Sequence, residues 1–129
     1  MAALDKSVSG SMRFDIDKLK LDLRKFARAR AWEKFHSPKN LSMALAVEAS
    51  ELLERFQWLT EEQSKKLDAE TLRAIEEEIA DVQIYLVRLA DRVGVDIGKA
   101  VNSKMRLNHS RYPANLVRGS ARKYSEYKK

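Results

Sequence analysis

The chain has 129 residues, 44% apolar and 34% charged, with net charge +6, four glycines, two prolines and no cysteine. That length fits one domain, and so few turn-formers disfavour sandwiches and barrels, which need a turn signal about every 8–12 residues. No apolar run is long enough to span a bilayer, and the lack of cysteine excludes disulfides, iron–sulfur clusters, cysteine-bound zinc and a cysteine nucleophile; it fits a reducing cytoplasm, the expected location.

In chain order, residues 1–12 show no periodicity and read as a tag remnant or disordered leader. From Asp15, a candidate cap, Ile16, Leu19, Leu23 and Phe26 recur at helical spacing, which predicts a first helix to about Trp32. His36-Ser37-Pro38-Lys39-Asn40 predicts a loop, because the residue before proline is pushed out of the helical region. Asn40 is a good N-cap and predicts a second helix to about Leu59. Thr60 and Gln63 form a capping box ahead of a short turn over 61–66. The third helix is expected from Ala69 to Val93. Its stripe of Leu72, Ile75, Ile79, Val82, Leu86, Leu89 and Val93 alternates steps of three and four, the seam of a helical bundle, and Gly94 ends it. A fourth helix over 96–108 carries Ile97, Val101 and Met105, and Pro113 is expected to close the regular region. Residues 114–129 hold net +4 of the charge, against +2 for 13–113, and predict a solvated basic tail. The expectation is an all-α, four-helix bundle over residues 13–113 with no strand.

Two helices carry acids where an ordinary bundle would not place them. At about 100° per residue, Glu48 falls about 20° from Leu41, inside the stripe of Leu41, Leu45, Leu52 and Leu59. Glu51 lies about 60° further round, at the edge of the stripe and nearer water. An ionised carboxylate in a core is costly unless paired or bound to metal. The third helix repeats the spacing with Glu78 and Asp81 beside its stripe, and Tyr85 follows one turn on. If the two helices pack antiparallel, four carboxylates converge, an oxygen-only set that suits Mg²⁺, Mn²⁺ or Ca²⁺. Mg²⁺ commonly binds substrate phosphates as well, which points to a nucleotide. The competing reading pairs these acids with Arg55 and Arg88. Glu54, Glu61, Glu62, Glu76 and Glu77 read as a solvated face.

Lys104, Asn108, Arg111 and Tyr112 share one face if the fourth helix persists, and Lys and Arg are phosphate ligands; a solvated basic face is the alternative. Trp32 and Trp58 close the first and second helices, and Trp58 lies about 20° from Glu51 and about 10 Å along the axis, an offset at which a ring can hold a base while the acids hold phosphate. Ordinary core packing is the alternative, and for Phe56 the better one.

Glu48-x-x-Glu51 and Glu78-x-x-Asp81 together resemble the MazG-like nucleoside triphosphate pyrophosphohydrolases. Phe35-His36-x-Pro38-x-Asn40-Leu41, Phe56-Gln57-Trp58, Asp81-Val82-x-Ile84-Tyr85-Leu86 and Lys104-Met105-x-x-Asn108-x-x-Arg111-Tyr112-Pro113 look like its dCTP pyrophosphatase branch, over residues 14–113. The resemblance implies an all-α, oligomeric (dimeric or tetrameric), Mg²⁺-dependent enzyme. It would cleave a (deoxy)nucleoside triphosphate to monophosphate and pyrophosphate, removing noncanonical or excess nucleotides. It further implies Glu48, Glu51, Glu78 and Asp81 as metal ligands. Lys104, Asn108, Arg111 and Tyr112 would hold the phosphates, Tyr85 the sugar, and Trp32 and Trp58 the base. Glu51 is the first choice for general base, with Glu48 beside it. Leu23 departs from the pattern: in the vertebrate dCTP enzymes a histidine stands nine residues before the tryptophan matching Trp32, and leucine cannot hydrogen-bond a base edge.

Two rivals remain at this level. A ferritin-like carboxylate oxidase needs E-x-x-H on two helices, and the chain offers one match, Glu33-x-x-His36. A helical nucleic-acid-binding or protein-interaction module is suggested by the pI of about 9.6 but leaves the carboxylates without a purpose.

Overall fold

Capping chemistry fixes where the helices begin. In the computed structural model, which describes residues 13–127, Asp15 accepts from the Lys18 N–H at 3.1 Å and opens α1 (Ile16–Ala29). The leader expected over 1–12 lies outside the described residues. α1 stops three residues short of Trp32. Ala31 turns left-handed (φ +52°), its N–H donates to the Arg28 carbonyl at 3.1 Å, and the Trp32 N–H donates to the Ala27 carbonyl at 2.9 Å. This is the Schellman arrangement, with alanine where glycine is usual.

A 3₁₀ turn (Glu33–Phe35) leads into α2 (Pro38–Glu54). The cap is Ser37, not Asn40: the Ser37 hydroxyl accepts from the Asn40 N–H at 3.1 Å. Pro38 takes the first helical position, where its missing N–H leaves nothing unsatisfied, so it starts the helix rather than excluding it. α2 ends at Glu54, five residues before the expected Leu59, because the Phe56 and Gln57 N–H groups both turn back to the Leu53 carbonyl. The Thr60–Gln63 capping box forms as expected and opens α3 (Glu61–Ser64). Asp68 then accepts from the Thr71 N–H at 2.7 Å, and α4 runs Ala69–Val93 to Gly94 at φ +74°.

The chain divides after Val93 into two compact units. In the first, α1 and α2 both pack on α4. α2 lies antiparallel to α4: His36 sits beside Arg88 and Arg92, Glu48 beside Asp81, and Arg55 beside Glu78. Ala27, Leu41, Ile75, Val87 and Ala90 are buried, together with Glu78 and Arg88. The predicted α4 seam is therefore only partly covered. Ile75 is buried, whereas Leu72, Ile79, Leu86 and Val93, seven residues apart, are each at least 40% exposed. α4 packs against both α1 and α2 and buries Val87 and Ala90, which a single-seam reading omits.

In the second unit Asp96 accepts from the Lys99 N–H at 2.9 Å and opens α5 (Ile97–Arg111), which outlasts its predicted end by three residues. Pro113 does not close the regular region. It caps α6 (Ala114–Val117), and a 3₁₀ turn (Tyr124–Glu126) follows. The Tyr124 N–H donates to the Tyr112 hydroxyl at 2.9 Å, and the rings of Tyr124 and Tyr127 meet Tyr112 edge-on at 6.2 and 6.3 Å. The described part of the basic tail is thus tied down by tyrosines. The fold class is all-α. Against four main helices, the described residues hold six α-helices, four long and two of a single turn, and no strand. None of these helices is long and apolar enough to cross a membrane.

Candidate functional site

The antiparallel α2–α4 pair brings the two acidic pairs together. Glu48, Glu78 and Asp81 each offer an oxygen, and these oxygens lie within 4.8 Å of one another. Glu51, one turn further along α2, lies close enough to raise the Glu48 pKa. Glu78 is only 8% exposed, and the second oxygens of Glu48 and Glu78 (both Oε2) are buried without a hydrogen-bond partner. The cationic pairing weighed above is realised in one place: Arg55 Nη2 reaches Glu78 Oε1 at 3.4 Å, from a side chain that is itself half-exposed. Arg88 pairs elsewhere, with Asp91. Burial, then the neighbouring Glu51 carboxylate, and the charges of Asp81 and Glu78 push the Glu48 carboxyl up to about 7. Orphaned buried oxygens on an all-oxygen donor set fit a hard divalent cation. Glu54, Glu61, Glu62, Glu76 and Glu77 are exposed, as expected.

The raised Glu48 pKa has a measurable consequence. Between its ordinary value near 4.5 and about 7, the native chain holds more protons than the unfolded chain, so stability falls as pH rises through that window. For protein stripped of divalent ions, the melting temperature is expected to drop between about pH 5 and pH 8. Mg²⁺ should restore it at pH 8 and do little at pH 5, because a cation binds the deprotonated cluster. A melting temperature that Mg²⁺ raises equally at both pH values would contradict this.

A cavity of about 330 Å³ adjoins the cluster through Asp81 and is walled by Leu23, Phe26, Trp32, Ile84 and Tyr85, with His36 and Arg88 completing it. Leu23, Trp32 and Tyr85 thus line one cavity. Trp58 does not join them: α2 ends before it, the helical offset from Glu51 no longer applies, and the ring is 84% exposed. Trp32 packs edge-on against Phe26 and His36, at 5.8 and 6.4 Å.

Phe26, His36, Ile84 and Arg88 also wall the cavity; sequence reasoning assigned none of them to it, although His36 and Ile84 stand in the family-like motifs. The iron-site match Glu33–His36 fails. His36 Nδ1 accepts from Arg88 Nε at 3.2 Å, and Glu33 faces Arg28 at 3.9 Å. In the second unit, Lys104, Asn108 and Arg111 lie on α5 and Tyr112 caps it. Arg111 stacks over the Tyr124 ring at 5.1 Å, and the Tyr112 hydroxyl is engaged by Tyr124.

The sequence profile of the MazG-like family matches residues 43–127. The dCTP pyrophosphatase 1 of Homo sapiens is 44% identical over 128 residues, spanning 95% of this chain and 75% of that protein. The same-named protein of Rattus norvegicus is 42% identical over 128 residues, with the same two coverages. A crystal structure of a pyrophosphatase from Archaeoglobus fulgidus matches with a TM-score of 0.68 at 39% identity, over 79% of this chain and 95% of that one.

Proposed function

The chain belongs to the MazG-like family, and from that premise we propose that it hydrolyses deoxynucleoside triphosphates, dCTP foremost, to the monophosphate and pyrophosphate. The observation that carries the reading is the α2–α4 carboxylate cluster with its two unpartnered buried oxygens, which opens on a cavity with an aromatic wall. Glu48, Glu51, Glu78 and Asp81 would hold the ion, Mg²⁺ or Mn²⁺. When bound, such an ion neutralises charge building on the phosphate oxygens.

The rest of the chemistry falls to side chains. Glu51, one turn from Glu48 on α2, takes the proton of the attacking water as its oxygen bonds to the α-phosphorus. The bond from that phosphorus to the bridging oxygen breaks, and pyrophosphate leaves. Lys104 and Arg111 neutralise phosphate charge, and Asn108 and Tyr112 add donors, by residue type and by family resemblance. Trp32 offers the base a ring face, Tyr85 lies toward the sugar, and Leu23 supplies an apolar wall in place of a base-reading histidine. The reading places the enzyme in a reducing cytoplasm, in keeping with the absence of cysteine.

The direct test follows products from each dNTP and NTP with Mg²⁺. Pyrophosphate and monophosphate in equal amounts are expected, with dCTP highest. Release of single phosphates, or no turnover by folded protein, would overturn the reading.

The exposed heptad row Leu72, Ile79, Leu86 and Val93 supports assembly into a homodimer or homotetramer, since such a row is the usual seam between helices. Light scattering at micromolar concentration should give a dimer or larger, and Ile79→Glu with Leu86→Glu should shift it toward monomer. A monomeric wild type would end this proposal.

A further inference from the structure

We infer that His36 reads the base: its Nε2–H donates to an acceptor atom, O2 or N3, of a pyrimidine ring held in the cavity walled by Trp32 and Tyr85. The inference deepens the proposed function, on which it rests. Three observations support it.

His36 is held at its backbone and at its ring. The His36 carbonyl accepts from Arg92 Nε at 3.0 Å, and the ring Nδ1 accepts from Arg88 Nε at 3.2 Å. Arg88 is only 5% exposed, and its Nη1 lies 3.6 Å from Asp91, so the partner of the ring is itself fixed. A guanidinium only donates, so Nδ1 carries no proton. Burial, then the charges of Arg88 and Arg92, keep the imidazole below its usual range, so the ring is neutral near pH 7. Its one proton therefore stands on Nε2, and no acceptor among the described residues meets that atom.

The surroundings make that single N–H selective. Leu23, Phe26 and Ile84 offer it nothing, and a donor left unmet in an apolar pocket penalises any ligand without an acceptor. At about 330 Å³ the cavity is at the small end of ligand pockets, which suits one ring better than two. Leu23 offers a base no polar contact, and His36 supplies one from a different element.

The test compares wild type, His36→Leu and His36→Gln on dCTP and on an abasic deoxyribose triphosphate. His36→Leu should raise KM for dCTP about 10-fold with little change in kcat, and leave the abasic compound unaffected. His36→Gln, whose amide Nε2 keeps a donor at similar reach, should recover most of the loss. Equal losses on both substrates would reveal a merely structural role and overturn the inference, as would an unchanged KM. Should His36→Leu not fold, 2-thio and 3-deaza dCTP analogues put the same question to wild type, and one of them must lose a similar factor. If wild type hydrolyses no triphosphate, the proposed function fails. The inference is then judged by calorimetry with deoxycytidine monophosphate, which wild type must bind and the leucine variant must bind about 10-fold more weakly.

Discussion

Glu48→Gln is expected to lower pyrophosphate release by about 10³-fold while raising the melting temperature of the metal-free protein at pH 8. The loss corresponds to about 4 kcal/mol of transition-state stabilisation, the scale on which a bound metal acts. The gain comes from the same atoms. Glu48 faces Glu51, Glu78 and Asp81, and its buried Oε2 has no partner. A neutral amide removes one negative charge from that cluster and keeps the shape. The two effects should separate with pH: near pH 5, where native Glu48 is already protonated, the stability gain should vanish. Retained turnover would remove Glu48 from the proposed metal site. A falling melting temperature at pH 8 would mean that a group of the protein itself satisfies the carboxylate. Stability bought at the expense of catalysis is the common sign of a strained functional cluster.

Asp91→Ala is expected to destabilise the fold by about 3 kcal/mol, read as the shift of the urea unfolding midpoint. Asp91 accepts from Arg24 Nε and Nη2 at 2.7 and 2.6 Å, and Arg88 lies 3.6 Å away. The Arg24 guanidinium holds the Asp91 carboxyl below the usual carboxylate range. Removing Asp91 frees Arg24 into water at little cost, because that side chain is half-exposed. Arg88 has no such exit, and its charge is left buried beside His36. Arg24→Ala should therefore cost much less than Asp91→Ala, since Asp91 keeps Arg88. Equal costs would mean that the exposed partner, not the buried one, sets the energy. The contribution of Asp91 is present at neutral pH and is lost as pH falls through its depressed pKa.

Much of this architecture was legible because caps and periodicity are local. Asp15, the Thr60–Gln63 box and the 25 residues of α4 lie where the sequence predicts them. Both acidic pairs stood out as charges beside apolar stripes. The misses were of other kinds. Pro38 serves as breaker or as first helical residue depending on its neighbours, and only the Ser37 cap decides. Residues 55–59 continue the apolar pattern of α2 while the backbone turns away, which misplaced Trp58. The cavity joins Leu23, His36 and Tyr85 from separate elements, and the Arg24–Asp91 link spans 67 positions. Such pairings depend on how helices pack, which no single-helix pattern encodes.

The left-handed Ala31 determines when the tryptophan wall becomes ordered. Non-glycine residues in this conformation lie about 1–2 kcal/mol above the right-handed helix. Ala31 adopts it one position before Trp32, fastened by two backbone hydrogen bonds. The entropy of fixing that wall is therefore lost when the chain folds, not when a ligand arrives. Ligand association should carry a smaller entropic penalty than it would against a loose rim. A glycine at 31 would relax the backbone yet enlarge the freedom of the unfolded chain, so the two changes oppose each other in stability. The native turn thus gives up some stability for a surface already in place.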